Sequence, residues 1–218
     1  MKYFLILTVS LSLIGCSSGN NDDAEKTKVN NESINGNKSK ITNIETLFDS
    51  KTFDDSKKVE LLKELQVCNP DNKVTGDYMN PTCSPDFFNL MPFIENVSIQ
   101  NAFMVQIKAK TNGFPLRRLL IFIRETEGLV KVNGFVANLI GVQKSPSKHD
   151  DLLLRFSDED QGQNVYYNCL FTWNGTTYKY KSAEAIYGSN WGGPVKAELK
   201  DSISKEVEKD IIKNKMIF

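Results

Sequence analysis

A single histidine, His149, serves the whole chain of 218 residues. Nucleophilic hydrolysis by serine or cysteine needs a base beside the nucleophile, and a zinc site draws several His and Cys ligands at set spacings. Both chemistries therefore lack their usual equipment. Cationic excess is missing too, since 27 Lys+Arg balance 27 Asp+Glu. Neutrality argues against a nucleic-acid binder, which carries a basic face, and against capture by anionic lipid, which needs clustered Lys or Arg. No Gly-Lys-Ser/Thr loop and no spaced glycine triplet opens a helix to hold phosphate. After Ile14 no apolar run approaches the ~20 residues of a spanning helix. No cofactor is implied by any of this.

What the chain does carry is concentrated at its start. Met1-Lys2 supplies a positive beginning, and Tyr3 to Ile14 an apolar run broken only by Thr8, Ser10 and Ser12. A charged start, a short apolar core and small residues before a cleavage point make a secretory signal peptide. Leu13-Ile14-Gly15-Cys16 then resembles the lipobox of bacterial lipoproteins: an aliphatic residue, a variable one, a small one and cysteine. That resemblance covers residues 1–16 alone. It implies that residues 1–15 are removed and that Cys16 becomes the first mature residue, carrying a diacylglyceryl thioether and an amide-linked acyl chain. Two or three chains make a stable anchor where one binds only reversibly. Ser17 after the cysteine is similar to lipoproteins delivered to the outer membrane. The implied localisation is the bacterial cell envelope, with the membrane as the first partner.

Residues 16–40 read as a lipidated cysteine followed by a tether. The stretch is almost entirely Asn, Ser, Lys, Asp, Glu, Gly and Thr, with only Ala24, Val29 and Ile34 to bury. Such a composition does not offset its ordering entropy. Residues 41–218 are long enough for one globular domain with its own core. Cys68 and Cys83 bracket a turn-rich loop and are the natural disulfide pair in an oxidising envelope. Closing a loop of ~15 residues stabilises by ~3 kcal/mol on the chain-entropy model.

Periodicity supplies the elements. Ser56 to Gln66 reads as a helix, with Val59, Leu62 and Leu65 on one face and Asp54-Asp55-Ser56 as caps. Phe87 to Phe93 reads as a buried connector. Phe103 to Ala109 alternates as a half-buried strand, Asn112-Gly113 signals a hairpin, and Leu116 to Arg124 is a central strand covered on both sides. Leu129 to Val142 is a long strand or bent pair with Asn133-Gly134 as bulge or turn. Asp151 to Ser157 and Asn164 to Trp173 are strands, the latter turning at Asn174-Gly175 into Thr177 to Lys181. Ala197 to Lys213 is a helix with Leu199, Ile203, Val207 and Ile211 in line. The expected fold is α+β: a single antiparallel sheet of about five to seven strands, one helix before it and a C-terminal helix packed on it.

Chemistry is sparse. His149 lies in a polar run beside Asp150 and Asp151 and reads as a solvated loop residue, although those neighbours are able to orient it as a base. Glu125 and Glu127 flank a turn, as do Asp158, Glu159 and Asp160. Asp158 and Asp160 with Gly162 partly resemble a calcium loop, but the third early ligand and the closing acidic residue are missing, so a hairpin turn is preferred. Cys169 falls on the apolar face of a strand as a small buried hydrophobe. Tyr187 to Pro194 reads as a glycine-rich loop in which Trp191, with Tyr187 and Asn190, is the candidate ligand-binding group. No catalytic residue is assigned.

The sequence thus points to a lipid-anchored envelope protein that binds a ligand, an envelope protein or a glycan, without catalysis and without nucleic acid. The competing reading is a small envelope-polymer hydrolase using Asp and Glu alone. A third is an inhibitor-type partner of another protein. A cleft with two facing carboxylates, one buried among apolar groups, favours the enzyme; solvated carboxylates favour the binder.

Overall fold

In the computed structural model, Asp54 accepts a hydrogen bond through its side chain from the Lys57 amide at 2.9 Å and starts helix α1, Asp55–Glu64. An Asp cap of this kind is worth ~1 kcal/mol. The structure describes residues 54–74, 76–77, 79–92, 102–108, 117–126, 128–147, 149–160, 162–188 and 191–218, all within the unit Gly36–Phe218. Residues 1–40, where a leader, a lipidated Cys16 and a tether are expected, lie outside those residues, as do Asn112-Gly113 and Glu127. Among the described residues no helix is long and apolar enough to cross a membrane.

Among the described residues nine strands follow α1: β1 Phe88–Pro92, β2 Ala102–Lys108, β3 Arg117–Glu125, β4 Gly128–Val136, β5 Asn138–Gln143, β6 Asp151–Asp160, β7 Gln163–Trp173, β8 Tyr178–Gly188 and β9 Trp191–Pro194. They form two antiparallel sheets, β1-β2-β3-β4 and β5-β6-β7-β8-β9, in sequence order. Helix α2, Lys200–Lys213, closes the chain after a short 3-10 turn. The fold is α+β and antiparallel, but with two sheets where one is expected. The division falls at Ala137, buried between β4 and β5. A bent pair is therefore correct for 129–142, with the bend three residues beyond Gly134.

The middle strands of the first sheet, β2 and β3, are buried on both faces. Phe103, Val105 and Ile107 of β2, with Leu120 and Phe122 of β3, pack against Leu61, Leu62 and Leu65 of α1. Ala102, Met104, Leu119, Ile121 and Phe135 join the second cluster, which includes Leu154, Phe156, Cys169 and Phe171 from the other sheet. Phe135 meets Phe171 edge-on, ring centroids 5.0 Å apart. This corrects the half-buried reading of β2: Met104 and Gln106, expected toward solvent, are buried. Each such buried aliphatic or aromatic side chain contributes about 1.5–3 kcal/mol. Phe88 to Pro92 is likewise a strand rather than a connector. Its proline stands at the end of an edge strand, where the lost donor is tolerated.

Cys68 and Cys83 are joined, Cα atoms 5.0 Å apart, under α1 and the first sheet. Asn133 is not a turn residue. It is buried in the core, where its amide accepts from the Tyr178 N–H at 2.7 Å and donates to the Tyr178 carbonyl at 3.2 Å. One side chain thereby acts as a length of β-ladder between β4 and β8.

Helix α2 covers the second sheet through Ile203, Val207 and Ile211. Leu199, expected on the same line, is exposed because it precedes the helix in the 3-10 turn. Ser204 accepts from the Ala183 amide at 3.0 Å, and the Ser204 carbonyl accepts from the Tyr180 hydroxyl at 3.0 Å. Lys200 pairs with Glu184 at 2.8 Å. Burial opposes ionisation of Glu184, but hydrogen bonds from Lys200 and Ser182 outweigh it and hold the carboxyl below its usual range. After α2, residues 216–218 run antiparallel to β4, with Phe135 opposite Ile217.

Candidate functional site

His149 is not a solvated loop residue. It is 4 % exposed, its ring edge-on to Trp173 at 4.7 Å between centroids. Asp150 and Asp151 beside it are also buried. The Asp150 carbonyl accepts from the Tyr178 hydroxyl at 2.7 Å, and its carboxylate accepts from the Ser145 amide. Burial, then the charges of Asp151 and Asp150, pushes the Tyr178 phenol upward. Polar local sequence suggested exposure, but Trp173 and Tyr178 at the ends of β7 and β8 cover the turn.

Cys169 is the buried free thiol expected of it. Burial first, then the Glu184 charge, pushes the thiol's pKa up and disfavours the thiolate, the nucleophilic form.

Tyr187 is the next-to-last residue of strand β8 and Trp191 begins strand β9, so these two positions belong to strands and not to a glycine-rich loop. Gly188 pairs with Trp191, so Trp191–Pro194 is a strand returning on β8. Tyr187 is 38 % exposed, with the Arg155 guanidinium 5.6 Å from its ring centroid. Asn190 lies outside the described residues. Glu125 stands at the exposed end of β3, opposite Gly128.

Asp158 leads to a more developed feature. The segment Asp158–Gly162 forms the end of the β6–β7 hairpin: Asp158 pairs with Val165, Asp160 with Gln163, and Gly162 turns at φ +78°. The Asp158 carboxylate accepts from the Glu159 amide at 2.8 Å and from the Asn214 side-chain amide at 2.9 Å. Hairpin and helix end are thus tied together, and a cleft of about 460 Å³ opens between them. Beneath it lie Val165, Tyr167 and Ile186 from the sheet and Ile203 and Val207 from α2, all buried, so most of the surface open to the cleft is polar. Its rim is Asp158 and Glu159 on the hairpin side, with Glu206, Asp210, Lys213 and Asn214 on the helix side. The helix residues fall at three- and four-residue intervals, hence on one face.

Glu159 and Glu206 are exposed, and Asp158 and Asp210 are half-buried. Among the described residues, no three His, Cys, Asp or Glu side chains stand close enough to hold a metal ion. The carboxylates are spread around the mouth rather than gathered on a point. In volume the cleft falls within the ~300–1,000 Å³ of small-molecule sites, and it offers a ligand mainly polar and charged groups. Sequence reasoning located Asp158 and missed Glu206, Asp210 and Lys213, which read as the helix's solvent face. One signal was available: two acids four residues apart near a helix C-terminus, where basic residues are favoured.

The domain is defined by two antiparallel sheets and a helix-walled cleft. Compared with family models, curated proteins and solved structures, the chain matches none.

Proposed function

We propose that this chain is a lipid-anchored cell-envelope protein, held at the outer membrane through acylated Cys16, whose domain binds a small ligand without transforming it. The observation that carries the binding half is the cleft between α2 and the β6–β7 hairpin, of small-molecule volume and with carboxylates along its rim. The anchoring half rests on the order Leu13-Ile14-Gly15-Cys16 after a charged start and a short apolar core.

A hydrolytic reading has one observation in its favour, carboxylates on both walls of the cleft. Acid–base cleavage of a glycan needs one carboxyl kept protonated by apolar surroundings opposite an ionised one. Glu159 and Glu206 face solvent and Asp158 is held by two hydrogen-bond donors. The rim is therefore suited to electrostatic recognition.

Two measurements test the proposal. Cys16→Ala is expected to release the protein from membranes or stop its maturation, read by fractionation and intact-mass spectrometry. An unmodified Cys16 thiol in the wild-type mature protein overturns the anchor. Equilibrium dialysis of the detergent-solubilised full chain against an envelope extract, with mass spectrometry of both chambers, is expected to enrich a compound unchanged. Time-dependent conversion of that compound overturns the non-catalytic reading, and enrichment of nothing overturns binding.

A further inference from the structure

We propose that Arg155 and Asn168, on the outer face of the second sheet, form a binding site for the carboxylate of an acidic ligand. The site is separate from the cleft, which uses the opposite face of the same strands.

Strand pairing places the two residues. Arg155 of β6 stands opposite Asn168 of β7, which in turn stands opposite Ala185 of β8. Their neighbours Leu154, Tyr167, Cys169 and Ile186 point into the shared core, so these three point away from it. Arg155 reaches across β7. Its Nε donates to Asn168 Oδ1 at 2.8 Å, and its guanidinium carbon lies 5.6 Å from the centroid of the Tyr187 ring, one strand further on. Arginine is donor-only, so this bond also fixes which end of the Asn168 amide faces it.

What the arrangement leaves open is all donor. The two Nη groups of Arg155, a half-buried residue, have no hydrogen bond or ion pair among the described residues. Asn168 is only 8 % exposed, yet its Nδ2 group likewise has no hydrogen-bond partner among them and reaches the surface. Asp151 and Glu159, the acids that alternate onto the same side of β6, stand four residues to either side, about 13 Å along the strand. Glu184, beside Ala185, is taken by Lys200 and Ser182. A guanidinium drawn partly out of water is normally paired, and a buried amide nitrogen is normally bonded. One anionic acceptor satisfies both.

The charge count selects the anion. One guanidinium beside a neutral amide offers a single positive charge, and with Nε occupied the Nη pair is left as a planar end-on fork. A carboxylate matches it in charge and in shape. A phosphate monoester carries about −1.5 to −2 near neutral pH and would be only partly compensated.

The test is an NMR titration of the detergent-solubilised, isotope-labelled full chain near neutral pH, in buffer free of carboxylate and phosphate. The probes are butanoate, butanamide and methyl phosphate. The Arg155 Nε–H signal is identified by its loss in Arg155→Lys, and the Asn168 Nδ2 signals by their loss in Asn168→Asp. Butanoate is expected to move both sets saturably, butanamide to leave them in place, and methyl phosphate to bind more weakly than butanoate. Arg155→Lys keeps the charge and loses the fork. It is expected to weaken butanoate binding about tenfold, read at Asn168 Nδ2, as loss of one charge-assisted hydrogen bond does.

The absence of saturable movement in the wild-type protein overturns the site, as does movement confined to the signals of α2. Equal binding of butanamide, or binding of methyl phosphate as tight as that of butanoate, overturns the carboxylate assignment. An unchanged affinity in folded Arg155→Lys overturns the role given to the fork. If that variant does not fold, the wild-type titration decides alone.

Discussion

Gly188, at the β8–β9 turn, shows how a single position is constrained. Its φ is +102°, and a Cβ built there would stand 2.3 Å from the Asn164 carbonyl oxygen. Both the dihedral and the neighbour are backbone properties, so no side chain is able to yield. Gly188→Ala is expected to cost about 2–4 kcal/mol, combining the left-handed penalty with overpacking, as read from the urea midpoint. At Gly134 a Cβ would meet the Phe218 ring at 2.4 Å. That ring is a movable side chain at the surface, so Gly134→Ala should cost less, and the difference between the two variants is the measurement.

Residue identity alone left the environments of His149 and Asn133 unreadable. Both are polar residues in polar or turn-like local sequence, yet both are buried, the first against Trp173 and the second on the Tyr178 backbone. What satisfies them comes from strands far along the chain. A local window does not contain that information. Cys169, by contrast, was legible, because its alternation with Tyr167 and Phe171 suffices to place it inward.

Among the elements, the two helices end alike. In α1 the Val67 amide donates to the Leu62 carbonyl and Gln66 to Lys63; in α2 Met216 donates to Ile211 and Lys215 to Ile212. These paired bonds form the Schellman ending, whose turning residue prefers glycine. Here Gln66 and Lys215 occupy it, each at φ 53°. Lys215→Gly is expected to stabilise the domain by roughly 0.5 kcal/mol, the relief of left-handed strain exceeding the added freedom of the unfolded chain. A fall in melting temperature would contradict this. Helix α1, β3, β6, β7 and the Asn174-Gly175 hairpin were legible because capping, turn chemistry and period agree there. Strand β2 was misjudged because alternation registers the more apolar face and is silent about what covers the other. Glu206 and Asp210 were passed over for the same reason: one stripe of α2 accounts for its packing, and the cleft uses the neighbouring stripe.

For the molecule as a whole, the split into two sheets at Ala137 carries the fold and was not legible. A strand that bends between sheets and one that continues have the same local pattern. The Cys68–Cys83 bond closes a turn-rich loop against α1 and the first sheet. Cys68→Ser/Cys83→Ser is expected to lose about 3 kcal/mol on the chain-entropy model, measured by denaturation without reductant. The Cys169 thiol, buried at the centre of the other cluster, should stay unreactive to alkylation until the domain unfolds.

The pairing of residues 216–218 with β4 has a consequence for how the domain is made. Gly134 and Phe218 exchange amide–carbonyl bonds of 2.6 and 2.9 Å, and the Val136 amide reaches the Met216 carbonyl at 2.8 Å. An open strand border is a template for pairing with other chains, and this one is sealed by residues 216–218. A polypeptide emerging from the ribosome must therefore carry β4 unsealed until residues 216–218 have been made and reach it. Through that interval the growing protein is most in need of shelter from copies of itself.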